Sequence, residues 1–185
     1  IVHVHGKINP VEDIKTINIE LMLKDIETLE SRIVKTEKLT RLGNQSIEME
    51  YNLLNMVIET INNNKPINDL CLNVNEQKLL KSFNLLTQKP ILYLANTSES
   101  DLLDEASEAL CDIKKYINSV SGILIQVCGE LEMQISSLSS DEQLLFLNEY
   151  GLKSPGLDRV IIKAYDLLGL HTFFTAGEKE IRAWT

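Results

Sequence analysis

Two short apolar runs with a helical pattern between them constrain the fold more than any other feature of the chain. They occupy residues 91–95 and 123–127. Short apolar runs bounded by turn signals are typical of strands buried on both faces of a parallel sheet. The intervening apolar positions recur at helical spacing and are Leu103, Ala106, Leu110, Ile113, Ile117 and Val120. Strand, helix and strand in this order predict a parallel crossover unit and therefore an α/β domain.

A helical hairpin is predicted upstream of this unit. Residues 1–8 have a strand pattern that ends at Asn9-Pro10, after which the period becomes helical. Two heptad seams follow, Ile19, Met22, Ile26, Leu29 and Ile33, and then Ile47, Tyr51, Leu54, Ile58 and Ile61. Gly43-Asn44 separates them, so the two helices are expected to pack as an antiparallel pair. A shorter helix is predicted over 75–86, with Leu79, Leu80, Phe83 and Leu86 on one face.

The last third of the chain is predicted to be helical until a final hairpin. Ser140-Asp141-Glu142-Gln143 matches a capping box, and Gly151 marks the end of the helix that it starts. A further helix is predicted over 157–168, with Gly169 as its stop. Residues 172–175 and 180–185 are predicted to pair as a β-hairpin.

Composition excludes several classes of function. The formal net charge of −9 argues against the whole chain being a nucleic-acid-binding surface, although a local basic stripe stays possible. Three cysteines without a CxxC pair give no support to a zinc or redox site, and fit a reducing cytosol. No apolar run approaches the ~20 residues of a membrane span. The start IVHVHG, without Met or a signal peptide, is interpreted as the interior of a gene product.

Polar residues follow both apolar strands. Asn96-Thr97-Ser98-Glu99 comes after the first strand and Cys128-Gly129-Glu130 after the second. Ligands of open α/β sheets bind at the carboxyl ends of the strands, so these loops can converge on one ligand. The Asn amide suits a purine edge, and backbone N–H groups around Gly129 can meet a base carbonyl. The competing interpretation is that Asn96 is an ordinary turn residue.

The phosphate-binding half of a nucleotide site has no counterpart in the sequence. The pattern G-x-x-x-x-G-K-[ST] does not occur, since Gly6-Lys7 lacks the earlier glycine and Leu157 follows Gly156. We therefore expect that these residues alone hydrolyse no nucleotide.

Four stretches resemble the YchF family of Obg-like ATPases in the family's order: IVHVHGKINPVEDIKTINIEL, FNLLTQKPILYLANTSES, more loosely VCGELEMQI, and GLDRVIIKAYDLLGLHTFFTAGEKEIRAWT. The resemblance implies an internal piece of such a protein, in three parts. Residues 1–14 and 88–171 would be the second half of the P-loop GTPase-like domain. Residues 15–87 would be the inserted antiparallel coiled coil, and 172–185 the start of a β-grasp TGS domain.

The resemblance also implies a site. Asn96-Thr97-Ser98-Glu99 stands where GTPases have Asn-Lys-x-Asp, and Cys128-Gly129-Glu130 takes the place of the Ser-Ala-Lys loop. Asn96, Thr97, Glu99 and the three residues of that loop are the implied nucleotide-binding residues, with Glu130 a departure from the family. Glu99 is longer than Asp and Thr97 cannot lie over a base as Lys does, so ATP is expected to bind at least as well as GTP.

His3 is the implied catalytic residue, because the family lacks the water-orienting Gln of Ras-like enzymes; the alternative is an exposed strand-edge His. His5 and His171 are interpreted as structural. The resemblance further implies Mg²⁺ with ligands upstream and none in this chain, ribosome binding with possible RNA contact, and a cytoplasmic monomer without a membrane partner. Two other hypotheses remain: a non-catalytic RNA- or protein-interaction module, and a plain coiled-coil scaffold, which the two buried-type strands disfavour.

Overall fold

A computed structural model describes residues 9–40, 45–103, 108–177 and 180–184. The chain divides into two compact units, Ile1–Lys89 and Pro90–Thr185. The strand predicted at 1–8, with His3 and His5, lies outside the described residues, and so do Gly43-Asn44 and Ala106. Within the described part, no helix is both long enough and apolar enough to cross a bilayer.

The first unit is built on two consecutive helices that pack against each other. They are α1 (Pro10–Thr40) and α2 (Gln45–Asn62), followed by a 3-10 turn at Ile67–Asp69 and by α3 (Val74–Ser82). An apolar cluster joins them, consisting of Leu29, Leu53, Leu54, Val57, Ile61, Ile67, Leu80, Phe83 and Leu85. Met22, Ile26 and Ile33 of the first predicted seam pack against this cluster.

Both predicted seams are partly wrong. Ile19 is 55% exposed, because α1 has 31 residues and α2 only 18, so the first turns of α1 have no counterpart on α2. On α2 the buried face includes Leu53 and Val57, which the heptad pattern missed. A helix in a globular core buries a wider stripe than the narrow seam of a coiled coil.

The helix predicted over 75–86 also ends early. Asn73 and Glu76 form a capping box at the start of α3, and Asn84 adopts a left-handed conformation, φ +53°, beyond its end. The side chain of Asp25, 2% exposed, accepts hydrogen bonds from the N–H groups of Leu86 and Thr87 at 2.7 and 2.8 Å. The segment after α3 is therefore held to α1 instead of continuing as helix.

The second unit contains the predicted crossover. Strands β1 (Leu92–Asn96) and β2 (Ile123–Val127) pair in parallel, with α4 (Glu99–Leu103) and α5 (Glu108–Ser119) between them. Strand–helix–strand order and parallel pairing are confirmed. Two details are wrong: Leu94 is 55% exposed, since no described element covers its face of β1, and Val120 is 49% exposed, just beyond the end of α5 at Ser119.

Three helices and a hairpin complete this unit. The helices are α6 (Gly129–Ser137), α7 (Ser140–Glu149) and α8 (Gly156–Leu168), and the hairpin pairs β3 (Phe173–Ala176) with β4 (Ile181–Trp184) in antiparallel fashion. The hairpin and the stop at Gly169, φ +63°, are confirmed. The predicted capping box is shifted by one residue, because it is Ser139 whose N–H and hydroxyl donate to Glu142 Oε2, at 2.9 and 2.6 Å.

Candidate purine-binding site

The two candidate loops leave the sheet side by side. Asn96 is the last residue of β1 and lies opposite Val127, the last residue of β2. The N–H of Thr97 continues the ladder by donating to the Val127 carbonyl at 2.8 Å. Parallel pairing in this register brings both loops to the same edge of the sheet, where ligands of α/β folds bind.

A hydrogen bond joins the loops directly. Asn96 Oδ1 accepts from the N–H of Gly129 at 3.1 Å, across 33 residues of sequence. A Cβ atom on residue 129 would stand 3.4 Å from that oxygen, an ordinary van der Waals distance, so this contact does not itself require glycine. Within the described residues the amide Nδ2 of Asn96 makes no hydrogen bond and remains a donor for a ligand. The Gly129 N–H itself is bonded to Asn96, and the expectation that backbone N–H groups around Gly129 meet a base carbonyl stays a prediction.

Thr97 faces the sheet edge. Its hydroxyl lies 3.3 Å from the Val127 carbonyl and accepts from Gln126 Nε2 at 3.3 Å. The same Gln126 amide donates to the carbonyl of Asp101 at 2.9 Å. Gln126 thus ties β2 to the loop after β1 and to α4. Sequence reasoning missed this function, although a polar residue inside an apolar strand was the available signal.

Glu99 is the first residue of α4 and is exposed. Its Oε1 accepts a hydrogen bond of 2.6 Å from the hydroxyl of Tyr150, at the C-terminal end of α7. That bond to the carboxylate, followed by burial and by the nearby negative charge, raises the pKa of Tyr150 to about 12. Tyr150 is 51 residues from Glu99 in sequence, and no pattern predicted the contact.

Cys128 and Glu130 flank Gly129 with different exposure. Cys128 is buried, 4% exposed, and stands immediately before α6. Its side chain makes no hydrogen bond to the first turn of that helix. Glu130 is exposed in that first turn, where a carboxylate interacts favourably with the helix dipole. The geometry gives Glu130 a helix-stabilising position.

A hydrogen bond between Glu132 and Gly156 connects the helix that follows the second loop to α8. Glu132 Oε1 accepts from the N–H of Gly156 at 2.7 Å, which links α6 to the start of α8. A Cβ atom at residue 156 would lie 2.8 Å from Val127 Cγ1, which is too close for a normal contact. Glycine at this position therefore lets the start of α8 pack against the last residue of β2.

The structure brings together Asn96, Thr97, Cys128 and Gly129, and it links Glu99 to Tyr150 instead of to the second loop. His3 lies outside the described residues. Among the residues that are described, no group of three His, Cys, Asp or Glu side chains is placed to hold a metal ion, so none is assigned as a Mg²⁺ ligand.

Fold and loop geometry define an α/β protein in which two loops meet at the carboxyl ends of two parallel strands, a candidate ligand site. No protein-family model matches the chain. All 185 residues align with curated proteins: the chain is 42% identical to the ribosome-binding ATPase YchF of Bacillus subtilis and 35% identical to Obg-like ATPase 1 of Caenorhabditis elegans. The solved YchF GTPase of Schizosaccharomyces pombe matches the whole chain with a TM-score of 0.84 at 31% identity.

These matches confirm, over the full length of the chain, the predicted resemblance to the YchF and Obg-like ATPase family. The chain spans about half the length of these relatives: 51% of the Bacillus protein, 47% of the Caenorhabditis protein and 50% of the Schizosaccharomyces structure.

Proposed function

We propose that these residues form the base-recognition half of the nucleotide site in a protein that binds and hydrolyses ATP, and also GTP. The observation that carries the proposal is the 3.1 Å bond between Asn96 Oδ1 and the Gly129 N–H. It fixes the orientation of the Asn96 amide, so that Nδ2 is left to donate to a purine ring nitrogen. Val127 and Thr97 support the same edge through their 2.8 Å backbone bond.

The proposal assigns the remaining parts by similarity. The Bacillus relative is named a ribosome-binding ATPase, and the Schizosaccharomyces structure is titled a GTPase. By analogy, the full-length protein would bind ATP, GTP and the ribosome. It would act in the cytoplasm as a monomer. The phosphate loop and the Mg²⁺ ligands are proposed to lie in the part of that protein beyond these residues. His3 stays a proposed catalytic residue.

The domain organisation is part of the same proposal. Residues 1–14 and 88–171 would complete a P-loop nucleotidase domain, 15–87 would be its inserted antiparallel coiled coil, and 172–185 would begin a TGS domain. Two observations support it: the shared apolar cluster of α1 and α2, and the antiparallel pairing of β3 and β4.

Phosphate release by the full-length protein tests the catalytic proposal. We expect Mg²⁺-dependent turnover of ATP and GTP, and loss of turnover when the lysine of its G-x-x-x-x-G-K-[ST] sequence is replaced. Co-sedimentation with ribosomes tests the partner. A full-length sequence without that motif, with ribosome binding but no turnover, would instead support the non-catalytic interaction module.

A further inference from the structure

The hydroxyl of Tyr150 ties the base-recognition loop to the end of another helix. Its 2.6 Å bond to Glu99 Oε1 has the length of a charge-assisted O–H···O⁻ bond, which is stronger than a neutral one. The ring is itself held in place, because its centroid lies 4.9 Å from that of Phe146 one turn earlier. Gly151, with φ +65°, ends α7 immediately after it.

Guanine and adenine differ in the hydrogen-bond donors that they present to a carboxylate at this position. Guanine presents two neighbouring N–H donors on its Watson–Crick edge, and a carboxylate pairs with them by turning both oxygens toward the base. Adenine has no such pair. Each carboxylate oxygen has two lone-pair sites, so the tyrosine bond opposes the paired contact by fixing the direction of Oε1 toward α7, and not by filling that oxygen.

From this geometry we propose that Tyr150 is a purine-selectivity residue, which favours ATP over GTP by holding the Glu99 carboxylate out of a paired contact with guanine. The inference rests on the proposed function. It means that base selectivity depends on a residue outside the loop 96–99. It also makes α7 a part of the nucleotide site.

A double-mutant cycle on the full-length protein tests the proposal. The dissociation constants of ATP and GTP are measured for wild type, Tyr150→Phe, Glu99→Gln and the double variant. We expect Tyr150→Phe to tighten GTP relative to ATP by about 3- to 10-fold, the range of one hydrogen bond. In the Glu99→Gln background the same change should leave the ratio of the two constants unaltered. Tyr165→Phe, a partly exposed tyrosine on α8, is the matched control and should also leave it unaltered.

The outcomes separate this inference from the proposed function. If wild type binds neither nucleotide, the proposed function fails and this inference with it. Two results with a wild type that binds both nucleotides would overturn the inference alone. In the first, Tyr150→Phe leaves the ratio of the ATP and GTP dissociation constants unchanged. In the second, Tyr150→Phe changes that ratio equally in the wild-type and Glu99→Gln backgrounds.

A second measurement tests the contact without any nucleotide. Tyrosinate absorbance is followed in the 185-residue chain after rapid pH jumps. Tyr150 should ionise near pH 12, and Tyr150→Phe should remove its contribution to the absorbance change there. Glu99→Gln should move it down toward pH 10, the ordinary tyrosine value. A wild-type chain without the high-pH step, or a step that Glu99→Gln does not move, would contradict the contact.

Discussion

Asn96 and Gly129 stand 33 residues apart in sequence, yet the side-chain oxygen of the first accepts the backbone N–H of the second at 3.1 Å. The bond joins the two loops, next to the contacts that Thr97 makes with Val127 and Gln126. The side chain of Asn96 therefore links the two loops, and the bond sets the orientation of its amide group. The bond gives Asn96 a structural role between the loops, and its binding to a purine stays a prediction.

Base choice is the first prediction. In the full-length protein, Glu99→Asp with Thr97→Lys restores the GTPase pattern at this loop. The shorter Asp also loses reach to Tyr150, which holds Glu99 at 2.6 Å. We expect the preference to shift toward GTP by about 1–3 kcal/mol, the value of a paired charge-assisted contact. Competitive binding of ATP and GTP measures the shift. No shift, or a wild type that strongly prefers GTP, would show that this loop does not set the base preference.

The parts of the fold that depend on local pattern were predictable. The apolar run 123–127 became β2 with the same bounds, and Gly169 ends α8 because its left-handed conformation suits glycine. The meeting of the two loops followed from their position after two parallel strands of one crossover unit. These features need only neighbouring residues or a general rule of α/β topology.

Contacts between distant residues were not predictable. Tyr150 reaches Glu99 across 51 residues, and Asp25 reaches Thr87 across 62. Neither partner has a neighbouring sequence that distinguishes it from a surface residue. Burial of Leu53 and Val57 depends on which side of α2 faces α1, which a heptad template cannot fix.

Asp25 provides a prediction about stability. It is buried on α1 and accepts three hydrogen bonds, two from the backbone of Leu86 and Thr87 and one from the Thr87 hydroxyl. Asp25→Asn presents an NH₂ group to these donors, so we expect the free energy of unfolding to fall by about 2 kcal/mol.

Hydrogen exchange of the Leu86 and Thr87 amides reports the local effect and should accelerate roughly tenfold or more. Asp69→Asn, at an exposed carboxylate in the same unit, is the control. Equal exchange at the two amides in wild type and Asp25→Asn would mean that the carboxylate does not hold this segment.

Hydrolysis by the 185 residues alone is a third prediction. The sequence contains no G-x-x-x-x-G-K-[ST], and phosphate and Mg²⁺ contacts supply most of the catalysis in phosphoryl transfer. We expect no release of phosphate from ATP or GTP above background by the purified chain. Robust Mg²⁺-dependent turnover by a homogeneous sample would refute the division of the site into two halves.

The most direct test of the central claim is the affinity of the full-length protein for ATP when Asn96 is changed. Asn96→Ala removes the bond to Gly129 and the proposed donor to the purine, while Asn118→Ala, an exposed Asn near the end of α5, removes a comparable amide elsewhere. Isothermal titration calorimetry should show ATP binding weakened about tenfold or more by Asn96→Ala, as expected for a lost purine contact and a loosened loop, and unchanged by Asn118→Ala. Equal affinity of wild type and Asn96→Ala for ATP would contradict the assignment of these loops as the purine site.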